Sequence, residues 1–404
     1  MAHSVDKIYQ EAVESGLLPG VSLLAGDKNG NIVYSKSLGK ASLKEGVDRP
    51  FTEDTICAIA SMGKLMTSVA VLQCVEDGTL ELDNDVRPLL PEMGKYGVIT
   101  GFDEDDEAIF EPDSTPISLR MLLSHVSGHE YDWFNPLLGK WRASRNEQPW
   151  TGPTIESKSA LPLVCKPGAR FTYGAGHDWA GKLVQIATSS TLEDFMRARI
   201  WKPLGVENDI SFYPKTKASM KDRMADISTL NEKGEPPAVD APTFDILFGG
   251  TDCFGGGGLF ASPKAFYTFL SAVHRRDPKL LAPASYDELF RPQLDERLEQ
   301  TFNEYIASSP AHRNFLGLRI PDSVRKTWSF AGLVAKEAQD GRFGSGTSLW
   351  AGVPSAVWFI DHAAGICGTA CCQILPPLHP PIVALHEEFQ RMVFEKVQES
   401  NIGT

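Results

Sequence analysis

Ile8, Val13, Leu17 and Leu18 recur among charged neighbours and predict an amphipathic helix over residues 5–16. Behind it, two apolar stretches, 21–25 and 32–37, flank Asp27-Lys28-Asn29-Gly30-Asn31. Asn-Gly between such stretches predicts a β-hairpin, because the tight turn needs residues that tolerate positive φ. The far end mirrors this arrangement. Residues 356–361 and 366–375 predict two strands joined by His362-Ala363-Ala364-Gly365. After Pro380-Pro381, Ile382, Leu385, Phe389, Met392 and Val393 recur at helical spacing. The two ends are therefore expected to share one antiparallel sheet, with the terminal helices on one face.

The middle of the chain reads differently. Between residues 67 and 182 helical patterns dominate and strand signals are few. A short helix is expected over 119–124, closed at Gly128, with further helices over 180–188 and 192–200. The acidic run 103–107 reads as a solvated loop. The expected fold class is α/β: a sheet domain built from residues 1–78 and 190–404, with a mostly helical domain, 79–189, inserted into it. A glycine-rich stretch, 245–260, precedes a helix over 263–273.

Composition narrows the functions open to such a chain. Its 404 residues are 42% hydrophobic, enough to bury a core without disulfide or metal staples. A net charge of −13 with no Lys/Arg block argues against nucleic acid or an anionic membrane as partner. The longest apolar runs fall far short of the roughly 18 residues a membrane span needs. The polar start, Met1-Ala2-His3-Ser4, has no apolar segment, so no secretory signal is expected. Seven irregularly spaced cysteines fit reduced thiols in a cytoplasmic protein and make no zinc pattern. No P-loop and no G-x-S-x-G elbow occur, and Gly255-Gly256-Gly257-Gly258 does not fit G-x-G-x-x-G. His125 and His129 are separated by Ser127-Gly128, which breaks a helix, and read as capping or buried histidines. Neither metal nor cofactor is expected.

Serine three residues ahead of lysine occurs as Ser4/Lys7, Ser37/Lys40, Ser61/Lys64 and Ser323/Lys326. The pairing matters because a serine hydroxyl needs a base within hydrogen-bond reach, and a desolvated amine can serve. On a helix, residues i and i+3 share a face. Ser4/Lys7 lies at an exposed terminus. Ser37/Lys40 ends a predicted strand, where residues three apart point to opposite faces. Ser323/Lys326 sits in the polar run Asp322-Ser323-Val324-Arg325-Lys326, which reads as loop. Only Ser61/Lys64 is embedded in apolar sequence, with Ile56-Cys57-Ala58-Ile59-Ala60 before it and Val69-Ala70-Val71-Leu72 after. Ser61 is expected to begin a buried helix, whose free N–H groups and positive dipole favour a developing oxyanion. The spacing alone equally fits Ser61 as a helix cap with Lys64 reaching solvent.

Ser61-Met62-Gly63-Lys64, followed by Gln73-Cys74-Val75-Glu76-Asp77-Gly78 and by Leu122-Leu123-Ser124-His125-Val126-Ser127-Gly128, resembles the serine β-lactamase/penicillin-binding-protein superfamily, and within it the class C-like esterase branch. Tyr173-Gly174-Ala175-Gly176-His177-Asp178-Trp179-Ala180-Gly181-Lys182-Leu183 and Cys253-Phe254-Gly255-Gly256-Gly257-Gly258 look like the acyltransferases of that branch that attach side chains to polyketides, statin side-chain transesterases among them. The likeness runs from about residue 10 to 390.

The resemblance implies a β-lactamase-like antiparallel sheet flanked by terminal helices, with an inserted helical domain. It also implies roles. Ser61 would be the acylated nucleophile, Lys64 its base or proton partner, and Tyr173 the phenol that carries a proton to the leaving group and from the acceptor. Trp350-Ala351-Gly352 stands where the superfamily usually has Lys-Thr-Gly on a sheet edge, and matches the W-x-G form of the esterase branch. The next residue, Val353, would supply the second oxyanion N–H beside that of Ser61. One such donor is worth about 3 kcal/mol of transition-state stabilisation. Two departures redirect the substrate class. Trp350 in place of lysine argues against efficient β-lactam hydrolysis. Ala175 and Gly176, where the family often has asparagine, argue against peptide-like donors. Trp350, Trp133, Phe134 and Phe254 are expected to form a broad apolar pocket, though each singly also fits core packing.

The expected reaction is ping-pong transfer of an acyl group from an ester or thioester to a hydroxyl of a small secondary metabolite. Water as acceptor gives the alternative, a carboxylesterase. A catalytically dead binding protein would have lost one of Ser61, Lys64 and Tyr173, and all three are present. The expected partners are a small-molecule acyl donor and an alcohol acceptor, with an acyl-carrier protein as one source of the acyl group.

Overall fold

A computed structural model describes residues 2–402, with side-chain surroundings described for 5–398. Met1 and the side chain of Ser4 lie outside the described residues. The helices include α1 (Ala2–Glu14), α2 (Lys64–Glu76), α3 (Gly176–Thr188), α4 (Pro263–His274) and α5 (Pro380–Ile402). The main sheet comprises β1 (Gly20–Asp27), β2 (Ile32–Gly39), β3 (Lys326–Trp328), β4 (Leu333–Ala335), β5 (Thr347–Gly352), β6 (Ala356–Asp361) and β7 (Ile366–Cys372). Its order is β3-β4-β5-β6-β7-β1-β2, antiparallel throughout.

The chain ends meet through β7 and β1, where Val21 pairs with Cys372 and Asp27 with Ile366. The β1–β2 turn is closed locally. Asp27 Oδ1 accepts from the backbone N–H groups of Asn29 (2.8 Å) and Asn31 (2.9 Å), and Gly30 supplies a φ of +87°. The pleat then sorts the two faces. Tyr34 and Phe359 place their rings against Phe389 of α5, and Tyr9 of α1 meets His386 at 2.9 Å. On the opposite face β1 lies so close to α4 that a Cβ at Gly26 would collide with the Tyr267 hydroxyl. The terminal helices thus share one face of the sheet and α4 covers the other.

Several local expectations need correction. Strands do occur between residues 67 and 182: Val98–Phe102 pairs with Ala108–Glu111, and the acidic run 103–107 is the turn between them. Asp103 Oδ1 accepts from the N–H groups of Asp105 (3.0 Å) and Glu107 (2.9 Å), so the acids fold onto their own backbone. The strand expected over 366–375 breaks at Gln373, whose side chain bonds both the N–H and the carbonyl of Ala58. Ile374–Leu375 then pairs in parallel with Ser228–Thr229 in a separate small sheet. Lys326 is not in a loop. It opens β3, buried, and donates to the Pro321 and Val324 carbonyls.

Helix α2 is a core helix, as expected where apolar residues surround the axis. Every residue from Lys64 to Cys74 is buried. Its polar side chains have specific partners: Thr67 Oγ1 donates to the Gly255 carbonyl at 2.7 Å and Gln73 Nε2 to that of Leu280 at 2.8 Å. Such a helix cannot shift without breaking buried bonds, so whatever its N-terminus carries is held rigidly.

Candidate active site

Ser61 does not itself begin α2. It lies in a 3₁₀ turn, Ala60–Gly63, that runs directly into Lys64 at the start of the α-helix. The backbone before it is strained: Ala60 sits at φ +42°, a left-handed conformation that costs an L-residue about 1–3 kcal/mol. Lys64, 2% exposed, turns inward. Its Nζ donates to Ser61 Oγ (2.9 Å) and to the Gly256 carbonyl (2.6 Å), and lies 3.4 Å from the Tyr131 hydroxyl. The reading in which Lys64 reaches solvent is thereby removed.

Tyr173 arrives from residues just ahead of α3. Its hydroxyl lies 3.1 Å from Ser61 Oγ, and the Lys64 ammonium sits 4.9 Å from its ring centroid. Trp350 Nε1–H donates to the same phenol oxygen at 3.2 Å. Ser61 Oγ is therefore within proton-transfer distance of two groups, and one of them is polarised by a third.

Strand β5 delivers the remaining backbone. β4 pairs only with residues 347–349 of β5, so Trp350-Ala351-Gly352 runs on without a ladder on that side. The strand lies against the Ala60–Gly63 turn, and a Cβ at Gly352 would run into the Ile59 carbonyl. Only glycine permits that approach. Val353 follows, and lines the same cavity as Ser61.

That cavity has a volume of about 500 Å³ and is walled mainly by aromatic and aliphatic side chains. Trp133, Phe134 and Phe254 line it, as does Tyr173. Tyr131 and Trp133 stack with centroids 4.2 Å apart, and Trp150 meets both edge-on. Trp350, Ala351 and Gly352 are not among the lining residues, contrary to expectation. Trp350 is 3% exposed and packs behind Tyr173, so it touches the phenol rather than the cavity.

Three groups escaped the sequence reading. Tyr131 stands two residues before Trp133 in an aromatic run, which was its only signal. Gly256 offers Lys64 a backbone carbonyl. Asp178 is fully buried under both: its Oδ1 accepts the Gly256 N–H at 2.7 Å, and burial pushes its carboxyl up to about 6 against the opposing pull of Lys64. Burial also drives His125 and His177 well below the ordinary imidazole range, and Lys64 adds to this at both. Both rings are thus held in the neutral form. His129 is buried as well, and no cluster of three metal-ligating side chains occurs among the described residues.

A serine turn running into a buried helix that opens with lysine, a phenol from a second segment and a W-x-G strand define a β-lactamase-like protein. The Beta-lactamase family profile matches residues 5–382, and the chain belongs to that family. It is 33% identical over 397 residues to the lovastatin esterase of Penicillium rubens, covering 97% of this chain and 98% of that one. It is 34% identical over 400 residues to monacolin J acid methylbutanoyltransferase of Aspergillus terreus, covering 98% and 96%. Among solved structures, a mutant of simvastatin synthase from Aspergillus terreus superposes with a TM-score of 0.90 at 32% identity, over 98% of this chain and 95% of the other.

Proposed function

We propose that this protein moves an acyl group from an ester or thioester to a hydroxyl of a small polyketide-like metabolite, through an ester on Ser61. The observation that carries the reading is the approach of both Lys64 Nζ and Tyr173 Oη to Ser61 Oγ, at 2.9 and 3.1 Å, on the wall of an apolar cavity. Ser61 Oγ attacks the carbonyl carbon and its proton passes into the Lys64–Tyr173 pair. The oxyanion rests on the N–H groups of Ser61 and Val353. As the tetrahedral adduct collapses, the same proton goes to the leaving oxygen or sulfur. The acceptor hydroxyl then repeats the sequence in reverse on the acyl-enzyme.

Relatives named for transfer and for hydrolysis both span nearly the whole chain. Hydrolysis is therefore the second reading, with water taking the acceptor's place at the same site. The cavity wall is apolar enough to hold a large hydrophobic acceptor, and this favours transfer. Free thioesters and a carrier-borne thioester are the two donor forms to compare. No helix among the described residues is long and apolar enough to cross a membrane. The seven cysteines are free thiols, which supports a cytoplasmic location.

The test is covalent. Incubation with a fluorophosphonate should add one adduct by intact mass, and none in Ser61→Ala; labelling that survives the substitution overturns the nucleophile assignment. With a p-nitrophenyl ester as donor, a panel of alcohols should divert product from free acid to new ester. Release of acid alone across the panel decides for hydrolysis.

A further inference from the structure

Lys158 lies in the polar run Glu156-Ser157-Lys158-Ser159, a composition usual at a solvated surface. Its side chain is instead fully buried. Nζ donates to the Trp150 carbonyl at 2.7 Å and to the Phe248 carbonyl at 2.9 Å, and lies 5.4 Å and 5.5 Å from the ring centroids of Trp150 and Phe254. All three aromatic residues line the cavity beside Ser61.

Both carbonyls belong to residues in an unfavourable conformation. Trp150 has φ +55° and Phe248 φ +46°, left-handed backbone in bulky side chains, at about 1–3 kcal/mol each. Such conformations persist only where surrounding bonds over-determine them. For Trp150 the bonds are complete: its N–H donates to Asp132 Oδ2 at 3.0 Å and its carbonyl is taken by Lys158. Asp132 is in turn paired with Arg142, which also donates to the Lys158 carbonyl at 2.7 Å. For Phe248 the loop is braced from outside by Asp245, which accepts from Leu247 (3.0 Å) and Gly249 (2.7 Å), and from inside by Lys158. The loop that carries Phe244, Ile246 and Leu247 is also a thin partition, with the cavity on one side and a second, more polar groove on the other.

We infer that Lys158 is a positioning residue that joins the Trp150 turn to the Phe248 loop and so fixes the far wall of the cavity, where large apolar substrates are selected. This deepens the acyl-transfer reading and rests on it. Removal of the ammonium frees two strained backbones to relax, and the aromatic wall loses its fixed shape while Ser61, Lys64 and Tyr173 keep theirs. The effect is therefore expected in substrate binding, and more for bulky substrates than for small ones.

Lys158→Met keeps the aliphatic stem and removes the charge. With 2-naphthyl hexanoate and p-nitrophenyl acetate as the two probes, kcat/KM should fall at least tenfold further for the naphthyl ester, with the difference carried in KM. The Kd of 2-naphthyl hexanoate, read by quenching of tryptophan fluorescence in Ser61→Ala, should rise by a similar factor in Ser61→Ala/Lys158→Met. Equal proportional losses for both esters, or an unchanged Kd, overturn the inference. The binding arm uses protein without the nucleophile, so surviving fluorophosphonate labelling of Ser61→Ala sinks the acyl-enzyme reading separately. A wild-type measurement covers a variant that does not fold. Burial lowers the Lys158 ammonium to about 8, against Asp245, Asp178 and Asp132, with Arg142 adding to the lowering. The ratio of the two KM values should therefore climb between pH 7 and 9.5, and a flat ratio overturns the inference.

Discussion

Replacement of Trp350 by phenylalanine tests what the phenol of Tyr173 does. The indole N–H reaches the Tyr173 oxygen at 3.2 Å, with both residues nearly inaccessible to solvent. Phenylalanine keeps most of the ring that packs on Tyr173 and Trp328, so the substitution chiefly removes one donor. If Tyr173 stays neutral throughout, the lost bond is an ordinary one, worth about 0.5–1.5 kcal/mol, or about two- to thirteenfold in rate. If the oxygen takes on negative charge while Ser61 attacks, the donor serves a charged acceptor, worth about 1.5–3 kcal/mol, or about 13- to 160-fold. The acyl-transfer reading has the proton moving through this phenol, so the larger range is expected. The assay is the burst rate of p-nitrophenol release from p-nitrophenyl butyrate, which isolates acylation of Ser61 from later steps. The control is the same substitution in a Tyr173→Phe background, where the indole has no oxygen to serve. There Trp350→Phe should cost little, giving a coupling energy close to its whole effect. A burst rate within twofold of wild type, or equal losses in the two backgrounds, would refute the idea that Trp350 acts through Tyr173.

Other consequences follow from the same geometry. Gly352→Ala drives a methyl into the Ile59 carbonyl and should part β5 from the Ser61 turn. A loss of about a hundredfold or more in kcat is expected, the scale of one oxyanion donor, and near-normal acylation would show that Val353 is not that donor. The carboxyl of Asp178, at about 6 against an ordinary 3.8, holds its proton more tightly in the folded state than in the unfolded one. Its contribution to stability therefore grows as pH falls through 6 towards 4. Wild type should gain about 2–3 kcal/mol on Asp178→Asn between pH 7.5 and 4 in urea unfolding; a difference independent of pH would contradict this. Phe389 is fully buried between α5 and the sheet, against Tyr34 and Phe359. Its truncation to alanine should cost about 3–5 kcal/mol of folding stability, measured in the same way.

What could be read in the chain was what is decided locally. The Asn29-Gly30 turn, the apolar run of β1 and the helical spacing of Ile382 to Val393 depend on neighbours within one turn or one strand. The hairpin Val98–Phe102/Ala108–Glu111 was missed because its strands are half exposed and its turn is a run of acids, a composition that also describes a plain loop. Asp178 and Lys158 were missed for another reason. A charged side chain carries no mark of burial in its own neighbourhood, and both are enclosed by the segment around 248–256, which lies some 78 and 90 residues further along the chain. Trp350 was expected in the cavity wall and lies behind Tyr173 instead. An aromatic residue in the W-x-G phrase has two faces to offer, and only the packing of β5 decides that its N–H meets Tyr173 instead of the cavity.

The four serine–lysine spacings make the same point on identical chemistry. Ser37 donates to Ser22 across the β1–β2 pair, and Lys40 reaches Asp48 at 3.1 Å, because a strand turns residues three apart away from each other. Lys326 is as buried as Lys64, yet its protons go to two backbone carbonyls and Ser323 is left exposed. The side chain of Ser4 is outside the described residues. Past the left-handed Ala60, the 3₁₀ turn runs from Ser61 directly into α2, so serine and lysine share a face. The Gly256 carbonyl takes one ammonium proton and orients the rest towards Oγ. The spacing supplies only the reach. The desolvating helix around Lys64, the carbonyl behind it and the phenol opposite convert that reach into a site, and each comes from a different part of the chain.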